Sequence, residues 1–280
     1  MKFGFVLPNN WGLDDPAGIV DLAVEAEQAG LDSVWVNHHV INVGYIADRL
    51  GDKPYYDALT ILGWVGAKTE RVQLGTSVLV MPYLHPMVVA KSLATLDQLS
   101  NGRIIAGLGV GSLPEENAIL DVDYDDRGAR SDEFIEVMRA LWADGPASFN
   151  GDHYQLDQVV ASPNPAQKTL EMWIGGTGAP ARARAARYGQ GWHPMCSANG
   201  LAKRLPKMAD ALAEHGRSLD DLVVAPRIGI QQVADEAAIE AWAAAGANQL
   251  IVGTASSELG EIRSSLADLA AVARRWRGES

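Results

Sequence analysis

Histidines at the ends of predicted strands are the first residues of this sequence that could carry chemistry. Adjacent His38 and His39 follow the apolar run Ser33–Asn37, and His193 ends another such run. Imidazole accepts and donates protons near neutral pH and also binds metals. Because neighbouring residues of a strand point to opposite faces, we expect at most one of His38 and His39 to face a shared site. A zinc site would need a third ligand, and we expect no metal.

A glycine-rich turn is the second candidate, in the segment Glu171–Gly178 with the sequence EMWIGGTG. The pattern predicts a strand that passes into a helix through Gly175, Gly176 and Gly178. Exposed backbone N–H groups, the Thr177 hydroxyl and a helix N-terminus form an anion pocket that suits a phosphate. The alternative is a tight turn that needs glycine only for its backbone dihedral angles.

A second glycine-rich stretch, Gly107–Ser112 with the sequence GLGVGS, ends another predicted strand. Its final glycine spacing does not match a dinucleotide-binding fingerprint, and no strand-end acid follows about 20 residues later. We interpret Gly109 and Gly111 instead as positions where a flat ring system approaches the backbone closely. The alternative is a plain packing site for small residues.

Eight repeats of a short β-rich run and a longer run of helical period position these residues. The predicted strands are Lys2–Leu7, Ser33–Asn37, Val72–Val80, Arg103–Gly109, Glu171–Ile174, Gly191–His193, Leu222–Ile230 and Gln249–Gly253. Their apolar runs are continuous, as in parallel strands buried on both faces. The pattern predicts an α/β protein with a (β/α)8 TIM barrel, short insertions at 113–130 and 149–168, and one domain over residues 1–280. An open doubly wound sheet is the alternative.

In such a barrel the chemistry lies just past the carboxyl ends of the strands. Asn9, His38 and His193 occupy such positions and are our candidates for the substrate pocket. None of the residues directly after the strands is Asp or Glu, which disfavours metal-dependent and carboxylate-based mechanisms. A rim of amides, imidazoles, glycines and small hydroxyls suits a cofactor that brings its own reactivity.

Composition narrows the class of partner. The net charge of −12 and the lack of a Lys/Arg block disfavour nucleic acid, so we expect a small-molecule substrate. The N-terminal apolar run is too short for a signal peptide or a membrane span, and neither is expected. Cys196 is the single cysteine, which fits a reducing compartment, and we predict a cytoplasmic location.

Six segments in a fixed order resemble a known family. They are FGFVLPNN, GLDSVWVNHHV, RVQLGTSVLVMPYLHPMVVAKSLATLDQLSNGRIIAGLGVG, RGARSDEFIEVMRALW, FNGDHYQL and WIGGTGAPARARAARYGQGWHP. Through them nearly the whole chain resembles the bacterial luciferase-like superfamily, and within it the branch of deazaflavin-dependent (coenzyme F420) oxidoreductases. The resemblance implies a barrel with the cofactor ring above the strand ends and its phosphate near the Gly175–Gly178 turn.

The resemblance also implies backbone and assembly features. The family carries a non-proline cis peptide bond behind the ring at the end of the third strand, and counting back from Pro82 places it at Val78-Leu79. Both residues are therefore expected to contact the cofactor. Members commonly form dimers, and we expect a homodimer with Leu62 and Val65 as exposed apolar contributors.

Deazaflavin-dependent relatives often carry Asp-His at the end of the second strand. Here His39 keeps the matching position and His38 replaces the acid, while Glu115 and Glu116 are assigned to the next helix without a role. We therefore predict hydride transfer between reduced coenzyme F420 and a small organic substrate, with His39 as the catalytic and a cofactor-binding residue. The alternatives are a flavin mononucleotide (FMN) dependent monooxygenase, a flavin-binding protein without turnover, and a metal-dependent barrel hydrolase.

Overall fold

Strands and helices alternate along the chain in a computed structural model that describes residues 1–279. The strands are β1 Lys2–Val6, β2 Ser33–Val36, β3 Gln73–Thr76, β4 Leu79–Val80, β5 Ile104–Gly109, β6 Ala147–Asn150, β7 Gln155–Val159, β8 Glu171–Gly175, β9 Gly191–His193, β10 Val223–Val224, β11 Arg227–Gly229 and β12 Gln249–Gly253. The helices are α1 Pro16–Gln28, α2 Gly44–Leu50, α3 Ala58–Lys68, α4 Pro86–Leu99, α5 Pro114–Ile119, α6 Arg127–Leu141, α7 Ala179–Tyr188, α8 Ala198–Ala213, α9 Glu236–Ala244 and α10 Leu259–Arg277.

The main sheet is parallel and curled, with its strands in the order β10-β9-β8-β5-β3-β2-β1-β12-β11, and β4 pairs with β5. Along this path neighbouring strands follow one another in chain order, except that the first strand, β1, pairs with the last, β12. A doubly wound sheet instead reverses its strand order at a switch point, so that alternative is wrong. All eight predicted strand positions are present, and the prediction of an α/β fold with a curled parallel sheet is confirmed.

The seventh predicted strand is split into two pieces that pair with different neighbours. β10 pairs with β9, and β11 pairs with β12. Between them, the Ala225 N–H donates to the Trp192 carbonyl at 2.9 Å, and the Pro226 carbonyl accepts from the Ile251 N–H at 3.0 Å. The backbone between β10 and β11 thus contacts both ends of the sheet path.

Large side chains fill the concave side of the sheet. Trp35 and Trp173 are buried there with their ring centroids 4.8 Å apart. Glycines on the same face make room for them, because a Cβ at Gly75 would lie 2.2 Å from the Trp35 ring and one at Gly191 would lie 2.4 Å from Trp173. This apolar cluster fills the space enclosed by the strands, so that a site can form only at the strand ends.

Local sequence signals explain how the helices begin. The Asp15 side chain accepts the Ala17 N–H at 2.9 Å, and Pro16 occupies the first position of α1, as predicted.

The predicted insertion at 149–168 forms part of an antiparallel hairpin, β6 with β7. Helix α2 was not predicted, because it is short and lies inside a segment without a clear helical period. Helix α5 contains Glu115 and Glu116, which were assigned to a helix.

The third predicted strand is interrupted between β3 and β4, where Ser77 and Val78 are joined by a cis peptide bond. The prediction of Val78-Leu79 was therefore wrong by one residue. Leu79 pairs with Leu108 in the β4–β5 ladder, so the chain has already returned to the sheet at Leu79 and the irregular bond precedes it.

Leu62 and Val65 are fully buried within the chain, so the expectation that they are exposed was wrong. They lie on the face of α3 that packs into the main hydrophobic core. The exposed apolar side chain of this helix is instead Trp64. None of the helices described for residues 1–279 combines the length and the hydropathy that a membrane crossing requires.

Candidate active site

A cavity of about 470 Å³ opens at the carboxyl ends of the strands. This volume is within the range of small-molecule and cofactor sites. Most of the residues predicted from the sequence line it, namely His38, His39, Val78, Gly109, Gly111, Gly175, Gly176, Thr177 and His193. The fold therefore brings residues from five separate strand ends to one place.

Three predicted residues do not line this cavity. Asn9 is fully buried beneath it, where its side-chain amide donates to the Asn37 and Tyr56 carbonyls and its oxygen accepts the Asn37 N–H. All of its polar groups are used to join loops, which corrects its assignment to the substrate pocket. Leu79 packs into the hydrophobic core, and Gly178 is the N-cap residue of α7.

His38 and His39 both line the cavity, which corrects the expectation that at most one of them faces it. The alternation of side chains holds only inside a strand, and β2 ends at Val36. The two histidines lie in the loop that follows, where the backbone no longer imposes opposite faces.

His39 forms a buried pair with Glu116. The His39 Nδ1 lies 2.5 Å from the Glu116 Oε2, and the other carboxylate oxygen accepts the N–H groups of Val40 at 2.7 Å and Ile41 at 3.3 Å. Glu116 is fully buried in α5. One carboxylate thus fixes both the imidazole and the loop that carries it.

The environment of Glu116 shows that the proton shared by this pair is on the imidazole and not on the carboxylate. Burial alone would raise the pKa of Glu116, but the hydrogen bonds from His39, Val40 and Ile41 hold it below its ordinary value. The carboxylate is therefore ionised at neutral pH, and the His39 Nδ1 donates to it. The Nε2 atom is left to act toward the cavity, where the Tyr45 hydroxyl lies 3.2 Å away.

The other two histidines of the site are neutral. Burial lowers the pKa of His38 to about 4, and its Nδ1 accepts the Val80 N–H at 3.2 Å. Burial also lowers the pKa of His193 to about 4. The His193 Nδ1 donates to the Ala225 carbonyl at 2.6 Å, so its Nε2 accepts the Ser77 hydroxyl at 2.9 Å. His193 thus links the seventh strand, at the Ala225 carbonyl, to the side chain of Ser77 at the cis bond.

The glycines of the cavity floor accommodate a side chain of the protein itself. A Cβ at Gly109 would lie 2.4 Å from a methyl group of Val78, and one at Gly175 would lie 3.0 Å from the other methyl group. Val78 therefore sits between two neighbouring strand ends and presents an apolar surface to the cavity. Val78 approaches Gly109 closely, and the predicted approach of a flat ring system to Gly109 and Gly111 stays a prediction.

The Gly175–Gly178 turn leads directly into α7. Gly176 adopts a φ of 109°, a conformation that favours glycine. The first N–H groups of a helix have no partner inside it, and those of α7 begin where Gly175, Gly176 and Thr177 line the cavity. The Arg182 Nη1 donates to the Thr177 carbonyl at 2.7 Å and helps to hold the turn. This arrangement suits an anionic oxygen group.

Four functional candidates were missed in the sequence: Glu116, Tyr45, Tyr55 and Arg227, of which all but Glu116 line the cavity. Glu116 lies on a helix, as predicted, and its carboxylate reaches the site although it does not directly follow a strand. No role was predicted for it. Tyr45 lies on the unpredicted helix α2. Glu116, Tyr45 and Tyr55 lie in helices and loops beyond the first residues after a strand, which is the signal that could have found them, whereas Arg227 lies inside the seventh predicted strand.

Comparison with known proteins identifies the family. A family model described as luciferase-like monooxygenase matches residues 1–280. Two curated relatives, both named F420-dependent glucose-6-phosphate dehydrogenase, come from Amycolatopsis mediterranei and Kineococcus radiotolerans. The first is 34% identical over 213 residues, 74% of this chain and 62% of its own. The second is 35% identical over 212 residues, 72% of this chain and 60% of its own. The matches thus span about three fifths of these relatives.

Solved structures share the fold at lower identity. An F420-dependent secondary alcohol dehydrogenase, solved with an F420-acetone adduct, superposes with a TM-score of 0.83 at 20% identity and covers 97% of both chains. The F420-dependent tetrahydromethanopterin reductase of Methanopyrus kandleri gives a TM-score of 0.78 at 18% identity, again over 97% of both chains. The family model matches residues 1–280, and the curated relatives are 34% and 35% identical to the chain. The solved structures share its fold, including the strand ends that form the cavity. The chain therefore belongs to the luciferase-like monooxygenase family.

Proposed function

We propose that this protein is a coenzyme F420-dependent oxidoreductase that transfers hydride between the deazaflavin and a small organic substrate. The observation that carries the proposal is the His39–Glu116 pair, with a distance of 2.5 Å, whose second imidazole nitrogen faces the cavity beside the Tyr45 hydroxyl. Hydride transfer at an alcohol or carbonyl carbon needs a partner that moves one proton at the oxygen. An imidazole backed by a carboxylate supplies that partner.

The residues present fit a flavin-type cofactor. The cavity combines an apolar floor at Val78 with the Gly175–Thr177 turn and the N-terminus of α7. A flat ring needs an apolar surface such as that of Val78, and a phosphate needs N–H donors such as those of the turn and the helix N-terminus. Val78, Gly109 and Gly111 would lie under or beside the ring, and Gly175, Gly176 and Thr177 would hold the phosphate. His38 and His193 would contribute walls of neutral imidazole.

A bound deazaflavin supplies the carbon that accepts or donates hydride. In the oxidative direction His39 accepts the substrate hydroxyl proton at Nε2, while Glu116 stabilises the resulting imidazolium through Nδ1. In the reductive direction the imidazolium donates that proton to the carbonyl oxygen. One hydride and one proton move in each direction, so the exchange balances without another oxidant or reductant.

The comparisons support this choice of cofactor. The curated relatives above carry F420 in their names, and so do both of the solved structures. A monooxygenase from Streptomyces bottropensis also shares the fold, with a TM-score of 0.77 at 22% identity. The competing proposal is an FMN-dependent monooxygenase, and cofactor preference separates the two.

Equilibrium binding of F420 and FMN to the purified protein, followed by absorbance and tryptophan fluorescence, tests the proposal. We expect selective binding of F420. Preference for FMN would move the reaction to oxygen-dependent chemistry, and binding of neither would overturn the proposal. With F420 bound, H39A should lower turnover by roughly 10²- to 10⁴-fold. H215A, which changes an exposed histidine outside the site, is the matched control.

The same proposal includes the architecture. We propose that residues 1–280 form one domain whose sheet closes into a (β/α)8 barrel through Ala225 and Pro226. The hydrogen bonds of this segment to Trp192 and Ile251, at opposite ends of the sheet path, support closure. The seventh strand of the barrel would then be interrupted by a proline, which lacks the N–H for a ladder bond.

Assembly and location are further parts of the proposal. We propose a homodimer, supported by the exposed side chains of Trp64 on α3 and of Val88 and Leu99 on the adjoining helix α4. Light scattering of the wild type and of W64E tests it, with a monomeric W64E as the expected result. The cytoplasmic location rests on Cys196 as the single thiol and is tested by fractionation of cells.

A further inference from the structure

Arg227 places a positive charge in the cavity wall without a carboxylate partner. Its Nη1 donates to the Ser77 carbonyl at 3.0 Å and to the Ser77 hydroxyl oxygen at 3.4 Å. Within residues 1–279, the acidic side chains that form ion pairs do so with other cationic groups. A cation removed from water without a counter-charge is costly, and burial lowers the pKa of Arg227 for this reason.

Other arginines of the chain show how a structural guanidinium is satisfied. Arg184 is buried against Asp132, with its Nε 2.7 Å from a carboxylate oxygen. Arg103 makes five hydrogen bonds, four of them to backbone carbonyls. Among residues 1–279, the Arg227 side chain has hydrogen bonds only to Ser77. Its remaining donors lie at the cavity, where a ligand can reach them.

Tyr55 adds a second donor without a partner. Its hydroxyl is buried and makes no hydrogen bond within the described part of the chain. Burial raises the pKa of Tyr55 while the nearby charge of Arg227 opposes that shift, and the hydroxyl keeps its proton. The Tyr55 ring stands edge-on to His39, with centroids 5.9 Å apart. Tyr55 therefore lies beside the residue proposed to move the proton, and Arg227 lines the same cavity.

We propose that Arg227 and the Tyr55 hydroxyl form a subsite for an anionic oxygen group. A guanidinium and a phenol at one wall together offer the donors that a carboxylate or phosphate accepts. The anion is either a group of the substrate or the anionic edge of the reduced cofactor. Anion binding is a property of the chain itself, and only the choice between these two sources rests on the proposed function.

Thermal unfolding of the cofactor-free protein in sulfate tests the subsite, at constant ionic strength set with sodium chloride. For the wild type we expect the Tm to rise by roughly 2–5 °C at ten times the sulfate Kd. R227M should lose at least two thirds of this rise, and Y55F about half. R263Q, which removes an exposed arginine on α10, should respond as the wild type does.

The Tm without sulfate separates binding from a structural role. Because R227M removes an uncompensated charge, its Tm should equal or exceed that of the wild type. A lower Tm together with an unchanged sulfate response would show a structural arginine and overturn the proposal. A sulfate response that R227M and Y55F both retain would also overturn it. These readouts need no F420, so a failure of the proposed function leaves them valid.

Titration of the F420-loaded protein distinguishes the two sources. If the anion is the cofactor's, R227M should weaken the binding of reduced F420 at least tenfold more than that of oxidised F420. If it is the substrate's, R227M should leave both affinities within twofold, and sulfate should compete with glucose 6-phosphate, the anionic probe taken from the names of the curated relatives, in the wild type but not in R227M. Either pattern supports the subsite, whereas R227M behaving as the wild type in both assays would contradict it.

Discussion

The Nδ1 atom of His39 lies 2.5 Å from the Oε2 atom of Glu116, although 77 positions separate the two residues in the chain. Two segments without regular strands bring them together. An apolar cluster of Ile46, Leu50 and Leu113 fixes α2 to the start of α5, the helix that carries Glu116. The pair therefore depends on packing outside the sheet, and its contribution can be tested separately from the strand-end residues.

Replacement of Glu116 by Gln should lower kcat/KM by roughly 10- to 150-fold. Gln keeps the shape but loses the charge that stabilises the His39 imidazolium, and a hydrogen bond to a charged group contributes about 1.5–3 kcal/mol. Steady-state kinetics with F420 measures the loss. E115Q changes the exposed neighbour on the same helix and should retain full activity. Equal activities of the two variants would contradict a role for Glu116.

Replacement of Tyr45 by Phe should lower KM about three- to tenfold with little change in kcat. The Tyr45 hydroxyl lies 3.2 Å from the His39 Nε2, where a substrate oxygen must bind. In Y45F the substrate no longer has to displace this hydroxyl, so binding gains about the free energy of one hydrogen bond. Kinetics at several substrate concentrations separates the two constants. A higher KM in Y45F would show instead that this hydroxyl contacts the substrate.

Acid should destabilise the protein partly through His38. Its pKa is about 4 in the folded state and near 6.5 when unfolded, so between these values only the unfolded state takes up the proton. Stability is therefore lost as the pH falls through this window, by about 2 kcal/mol between pH 7.5 and 5.0. Urea unfolding at pH 7.5 and 5.0 measures this loss.

H38N keeps an acceptor for the Val80 N–H and does not titrate, so its loss of stability over the same pH interval should be smaller by about 2 kcal/mol. His193 has the same lowered pKa and should account for a similar share that remains in the variant. H215N, at an exposed position, should behave as the wild type does. An unchanged pH dependence in H38N would mean that His38 is already charged when folded.

Replacement of Gly109 by Ala should lower the free energy of unfolding by about 1–3 kcal/mol, because the new Cβ would lie 2.4 Å from a Val78 methyl group. The displaced Val78 should also weaken cofactor binding. G260A is the matched control, since a Cβ there meets nothing within 4 Å and alanine favours the helix. Chemical denaturation of both variants measures the effect, and a G109A as stable as G260A would contradict the packing role of Gly109.

The sequence by itself determined the order of strands and helices, because that order depends on the local period of apolar residues and on caps such as Asp15. Continuous apolar runs placed all eight strands. The turn from strand to helix at Gly175–Gly178 was also predicted, since it depends on the backbone conformation of its own glycines. The placement of most predicted residues around one cavity follows from these local features and from the rule that parallel strands end at one edge.

Only the tertiary structure decided which side chains from other segments meet at that edge. Glu116 reaches His39 from a short helix, and Arg227 reaches the cavity from an interrupted strand, so neither follows from a period or a cap. The one-residue error at Ser77-Val78 and the burial of Leu62 have the same origin. Ladder register and helix rotation are set by contacts between segments far apart in the chain, and these contacts are absent from any local pattern of residues.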